Sequence, residues 1–435
     1  MADVRPLRGI RYNQEIVSDL ARVITPPFDV ISPEAQERYY ARDPYNVIRL
    51  ELGREFASDT TLDNRYTRSA AAFAEWRGQG IMRQDATPSY YLYQQRFTHS
   101  DKSYTRTSLL GRVRLEPWSA RVILPHEHTM AKLKDDRLSL MRACSANFSP
   151  LMCMYDDPQG RMRRLLMSYA ENAALQVTDE TGEEHRLQPI TDSQQIKLIQ
   201  DFFAERQLYI ADGHHRYETA LNYRREVEER RRGLDPDDAA NFVMMALIDV
   251  DDPGFLVLPT HRLLINLSNE MLARLNATQL SRYFNVQELA NTVGSEELAR
   301  LLDRSGKEQP SFAISTPDHS LLLAINEQGR ARMAQSGHSE AWNTLDVAIA
   351  QMLILEDLLG ISQQEMTAGQ YVRFTSEANI ALQAVREGKA QAALLLNTTP
   401  LRQICDVALA DDRMPQKSTY YYPKLGTGLV INPLW

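Results

Sequence analysis

The chain has 435 residues, a formal net charge of −8, 43% hydrophobic and 24% charged residues. That length suits roughly two or three domains with sizeable cores, and the acidic balance argues against a surface built to grip a nucleic-acid backbone. Cys144, Cys153 and Cys405 show no CxxC spacing, which excludes a disulfide framework and a cysteine-rich zinc site.

The N-terminus lacks a charged-then-apolar signal pattern, and the longest apolar runs, such as residues 244–248, are too short to span a bilayer. The expectation is a cytoplasmic protein without membrane or nucleic-acid partners. Cys144 and Cys153 lie among apolar neighbours and read as buried thiols of a reducing compartment.

In chain order, residues 5–12 read as a short strand and loop. Pro26 and Pro27 push the residue before each into an extended conformation. Ser32 ahead of Pro33 is a helix start, a cap followed by a first-turn proline, and the helix should run through Tyr40. Residues 47–50 read as a strand. Residues 61–80 carry the helical period, with Ala70, Phe73, Ala74 and Arg77 spaced by three or four. Residues 90–97 and 107–115 read as strands around a polar turn, 132–142 as a charged helix and 148–155 as another strand. A helix over 192–206 and a strand over 207–211 lead into Asp212, and a long charged helix follows to about Arg232. Strands at 241–249 and 256–258 close this part.

After residue 265 the texture changes. Helices are predicted near 295–304, 345–359 and 376–387, with strands at 311–315, 320–325 and 393–396. The fold class is α+β, divided into residues 1–265 and a second α+β domain over 266–435.

The densest chemistry lies in Ala211-Asp212-Gly213-His214-His215-Arg216. An apolar strand ends at Asp212, Gly213 supplies the turn, and a helix begins at once. The first N–H groups of that helix lack intrahelical partners and, with the helix dipole, favour an anion. Arg216 adds a planar fork suited to phosphate oxygens. His214 and His215 can donate further hydrogen bonds or ligate a metal. Asp212 can bind Mg²⁺ beside phosphates or accept a substrate proton.

Further constellations are spread along the chain. His126-Glu127-His128-Thr129 follows Pro125 in a loop or strand edge. Alternation there would put both histidines on one face and Glu127 on the other. His126 and His128 are candidate ligands for a transition metal, and Glu127 is a second candidate base. Lys134, Asp136 and Arg137 follow on the next helix. Lys417, Ser418 and Thr419 offer a point charge and two hydroxyls to a phosphate. Asp29, on its proline-set loop, and the pair His261 and Arg262 are candidate substrate contacts. Walker A, GxGxxG, HExxH and GxSxG sequences are absent, which leaves the familiar NTPase, dehydrogenase, zinc-protease and hydrolase mechanisms unsupported.

These motifs carry a resemblance. The GxxR arrangement at the start of a helix resembles the phosphate-binding motif of the ParB/sulfiredoxin superfamily, and Asp-Gly-His-His-Arg resembles the motif of its free-serine kinases. The wider chain resembles domain-of-unknown-function family 1015. The likeness rests on residues 26–32, 44–48, 125–129, 134–137, 211–220, 258–262 and 414–419. The resemblance implies a ParB/sulfiredoxin-like core in residues 1–265, with the 414–419 segment folding back on its site. It also implies a kinase-like phosphotransferase using Mg²⁺ and a nucleotide, ATP or ADP, on a small hydroxylated metabolite such as serine. Asp212, Glu127 and His214 are then the candidate catalytic groups, and Gly213, His215, Arg216, Lys417, Ser418 and Thr419 the phosphate contacts. Two other readings fit the same residues: a metal-dependent phosphatase acting on a substrate such as phosphoserine, and a nucleotide-binding switch without turnover. The expected partner is a small phosphorylated ligand; the oligomeric state is not legible.

Overall fold

The computed structural model describes residues 1–129, 131–290 and 293–435, and of residues 131–134 the backbone alone. Its chain falls into two compact units: Met1–Pro125, Thr129–Leu256 and Pro423–Trp435 form one, and His126–His128 with Val257–Tyr422 form the other. The division after Leu256 comes earlier than the expected boundary after 265. The segment that rejoins the first unit is Pro423–Trp435, while Met414 to Thr419 stays with the second.

Among the described residues, the first unit is built on a nine-stranded mixed sheet. Its order is Ile123–Leu124, Leu208–Asp212, Leu151–Tyr155, Phe242–Asp249, Lys102–Arg114, Tyr90–His99, Glu184–Ile190 and Leu175–Thr178, with Val4–Arg5 paired beside Lys102–Arg114. Leu208–Asp212 runs parallel to Ile123–Leu124 and antiparallel to Leu151–Tyr155. The long hairpin turns on Ser100 and Asp101, both with positive φ (48° and 59°), the twist that a two-residue hairpin favours. Phe242–Asp249 is buried along its whole length, as a central strand requires. Tyr217, Ala220, Tyr223 and Val227 of the helix His214–Arg231 join Leu151, Cys153, Ile210 and Met245 in one apolar core.

Three elements differ from their sequence reading. Residues 47–50, expected as a strand, belong to the short helix Ile48–Glu51. A four-residue apolar run has no decisive period. Here Asn46 Oδ1 accepts from Ile48 N at 2.9 Å, and that local bond starts a helical turn. The strand expected over 148–155 begins only at Leu151, because Pro150 has no N–H to give a ladder. The helix expected over 345–359 is α-helical over Asp346–Ile349 and a π-helix over Ala350–Leu358.

The second unit carries a six-stranded sheet in the order Phe284–Leu289, Ser320–Ile325, Ser311–Ser315, Ala392–Leu396, His261–Leu264, Val372–Thr375. Every neighbouring pair is antiparallel. Helices Ser295–Gly306 and Ala378–Arg386 bury Leu298, Leu302, Ala381, Leu382 and Val385 against it. The fold class is therefore α+β. All three cysteines are buried, and burial pushes the Cys144 thiol up to about 11. Among the described residues, no helix is long and apolar enough to cross a membrane.

Candidate functional site

The strand Leu208–Asp212 is apolar and buried until its last residue. Its register against Leu151–Tyr155 shifts between Ile210 and Asp212, so the chain bulges as it reaches the carboxylate. Such a bulge re-aims a side chain. Gly213 then takes φ 98°, ψ 25°, in the left-handed region. The positive φ favours glycine, and the fit is tight, since a Cβ there would meet Arg216 Nη2 at 3.0 Å and Leu151 Cγ at 3.1 Å. The helix His214–Arg231 follows. Residue 213 offers no capping oxygen to compete for its first-turn N–H groups.

Asp212 is the hub of a polar chain. Its Oδ1 accepts from Lys424 Nζ at 3.2 Å and its Oδ2 from Arg216 Nη2 at 3.3 Å. Burial opposes its ionisation, but the charges of Lys424 and Arg216 overcome this and hold the carboxyl at about 2. Arg216 Nη1 also donates to Pro150 O at 2.9 Å and Ser149 Oγ at 3.2 Å. Ser149 in turn donates to Glu51 Oε1 at 3.0 Å. Glu51 faces Arg137, whose Nη1 lies 3.5 Å from Oε1 and donates to the Glu51 carbonyl at 2.9 Å. Arg137 Nε reaches Asp136 at 2.6 Å, and its guanidinium stacks 3.9 Å from the Phe28 ring centre. Glu51, Arg137, Ser149, Arg216 and Thr219 line a cavity of about 40 Å³.

The second unit holds a separate chain of hydrogen bonds. Lys417 N donates to Glu127 Oε1 at 3.2 Å, and Thr260 Oγ1 donates to Lys417 O at 2.8 Å. Arg262 Nη1 donates to Thr260 Oγ1 at 3.1 Å. Lys417 itself has φ 58°, an uncommon conformation for a residue with a Cβ. Arg262 is buried, which pulls it down to about 10. Burial first, then the Arg262 charge, depress His261 to about 4, so it is neutral at pH 7 and accepts from Leu396 N through Nδ1 at 3.2 Å. Three motifs far apart in sequence, around residues 127, 260 and 417, thus meet.

The remaining expected residues fall as follows. His214 is buried and His215 half-buried. Residues 126–129 lie in a loop, not a strand; His126 is buried and His128 exposed, so the two histidines do not share a face. Among the described residues, the metal-type donors that converge in a set of three are Asp179, Glu183 and His185, not His126 or His128. Ser418 donates its hydroxyl to Pro415 O, closing its own turn. Asp29 stands exposed, and Phe28 is the residue that its loop sends to Arg137. The Lys134 side chain lies outside the described residues. Sequence reasoning missed Glu51, Ser149 and Lys424. Lys424 ends the run Tyr420-Tyr421-Tyr422-Pro423-Lys424, but nothing in its spacing from Asp212 signals a pair.

The profile of the DUF1015 family, described as a protein of unknown function, matches residues 4–348. No curated protein matches. Among solved structures, a conserved hypothetical protein from Pyrococcus furiosus is similar at 10% identity over 75% of this chain and 97% of its own, with TM-score 0.36. A free serine kinase variant in complex with ADP is similar at 10% identity over 72% and 87%, TM-score 0.36. C-terminally truncated SbnI from Staphylococcus aureus is similar at 11% identity over 75% and 87%, TM-score 0.35. Likeness at this level says nothing of chemistry.

Proposed function

The chain belongs to the DUF1015 family, and from its site we propose that it transfers a phosphoryl group from a nucleotide, ATP or ADP, to a small hydroxylated metabolite, with free serine the first acceptor to test. The observation that carries this reading is the junction at residues 212–216. There an uncapped helix start, Arg216 and Lys424 gather positive charge around one carboxylate. Phosphoryl transfer needs chiefly positioning and charge stabilisation, which such a junction supplies.

The local chemistry sorts the two candidate carboxylates. A group held at about 2 is a weak proton acceptor near neutral pH. Asp212 therefore serves to hold Lys424 and Arg216 in place. Glu127, the other candidate carboxylate, lies in the second unit and accepts from the Lys417 N–H at 3.2 Å. Magnesium does not fit Asp212 as it stands, because both carboxylate oxygens are already engaged by protein cations. Nor does any observation favour the phosphatase reading, whose metal was expected at His126 and His128.

The test is direct. Purified protein with serine and either ATP or ADP is expected to yield phosphoserine, read by mass spectrometry. Nucleotide binding without product from any hydroxylated amino acid would replace this reading with the non-enzymatic switch.

A further inference from the structure

The hairpin turn between strands Leu175–Thr178 and Glu184–Ile190 carries chemistry that the phosphate site does not use. Asp179 N donates to Glu183 O at 2.9 Å, closing the turn, and Gly182 takes φ 84° within it. This brings the Asp179 and Glu183 carboxylates and the His185 ring together, with one donor atom from each within 4.8 Å of the others. Asp179 Oδ1 accepts from Thr181 N at 2.8 Å and Glu183 N at 3.0 Å, so that oxygen fixes the turn. Its Oδ2 faces His185 Nε2 at 3.1 Å. Glu183 Oε2 faces the Gln95 amide at 3.4 Å.

His185 is set up as a ligand is in metal centres. It is 2% exposed, and its Nδ1 is held by the Tyr93 hydroxyl at 2.8 Å. That hydroxyl in turn accepts from Gly426 N at 3.3 Å. An outer partner on one ring nitrogen fixes the ring and directs the other nitrogen at the ion. Nε2 then faces a carboxylate oxygen, a contact that is favourable only with a proton or a cation between them.

A second observation is independent of the cluster. All three residues line a cavity of about 70 Å³, and Thr25 lines it too. Thr25 is only 4% exposed, and among the described residues its hydroxyl has no hydrogen-bond partner. A buried hydroxyl in that state calls for a bound water or ligand atom.

We propose that Asp179, Glu183 and His185 bind a divalent cation of the zinc or manganese class, with a water of its coordination shell bonded to Thr25. Two carboxylates and an imidazole suit these ions, whereas magnesium and calcium prefer oxygen donors alone. The cation neutralises the paired carboxylates. It also stiffens the seat of the C-terminal segment: Lys424 and Gly426 line the same cavity, and Gln95 donates to Lys424 O at 2.9 Å. The proposal does not rest on the phosphoryl-transfer reading, although Lys424 lines this cavity and also bonds Asp212.

The experiment uses the full chain, stripped with a chelator and titrated calorimetrically with Zn²⁺, Mn²⁺ and Mg²⁺ in turn. Stoichiometric binding of Zn²⁺ or Mn²⁺ but not Mg²⁺ is expected, with a rise in melting temperature. X-ray absorption at the metal edge should show nitrogen and oxygen donors. Glu183→Gln, which keeps shape and removes charge, should weaken binding about tenfold or more and abolish the thermal shift, as should His185→Ala. The metal-free melting temperature of each variant shows whether it folds. Absence of binding in the wild type, unchanged binding in a folded Glu183→Gln variant, or loss on His126→Ala instead would each overturn the site.

Discussion

Gly213 is where a single atom decides the site. At φ 98° an added Cβ is strained and meets Arg216 Nη2 at 3.0 Å. Gly213→Ala is expected to destabilise the protein by about 1–2 kcal/mol, the ordinary cost of a left-handed L-residue, and to displace the guanidinium. Urea denaturation and nucleotide titration would read the two effects separately. Arg216→Ala removes a charge-assisted contact of about 1.5–3 kcal/mol, so nucleotide affinity should fall roughly 10- to 100-fold by calorimetry. Asp212→Asn should weaken nucleotide binding, since it frees Lys424 and Arg216 from their anchor. If Asp212→Asn abolished turnover with affinity intact, Asp212 would be the general base and not the anchor of the two cations.

At the scale of elements, the short helix Ile48–Glu51 does more than join two longer ones. It carries Glu51, 3% exposed, to face Arg137, 6% exposed, and to accept from Ser149 beside Arg216. Removing one member of such a buried pair leaves the other without its charge partner, which costs about 3–5 kcal/mol. Glu51→Ala should therefore lower the denaturation midpoint sharply, while Glu51→Gln, which keeps an acceptor for Ser149, should cost less. This element was misread from sequence because Val47 and Ile48 are β-branched and the apolar run is too short to show a period. The long helix His214–Arg231 was legible for the opposite reason: it has length, a glycine at its start and basic residues at its end.

Across the whole molecule, the sequence motifs resolve into one network in each unit. Residues 51, 137, 149, 212, 216 and 424 are hydrogen-bonded in the first, and 127, 260, 262 and 417 in the second. The second unit also has a pH signature. His261 is depressed from 6.5 to about 4, so the unfolded chain binds the extra proton first as pH falls. Its contribution to stability is present above about 6.5 and is lost as pH falls toward about 4, a change of about 3 kcal/mol for a buried imidazole. The melting temperature should fall over that window and fall less in His261→Gln. An equal fall in both would assign the slope to other groups.

The sequence alone settled the family, the α+β class and the strand–glycine–helix junction at Asp212, because these depend on local chemistry: apolar period, positive φ and caps act over a few neighbouring residues. It also marked the segments around residues 127, 260 and 417 as chemically dense. Only the tertiary structure decided which of these meet. That Lys424 grips Asp212 across more than two hundred residues, that Glu51 and Ser149 connect Arg137 to Arg216, and that the hairpin at Asp179 gathers three metal-type donors all follow from strand order and side-chain packing. Pairings at such separation are set by how the sheet is ordered, and no spacing along the chain encodes them.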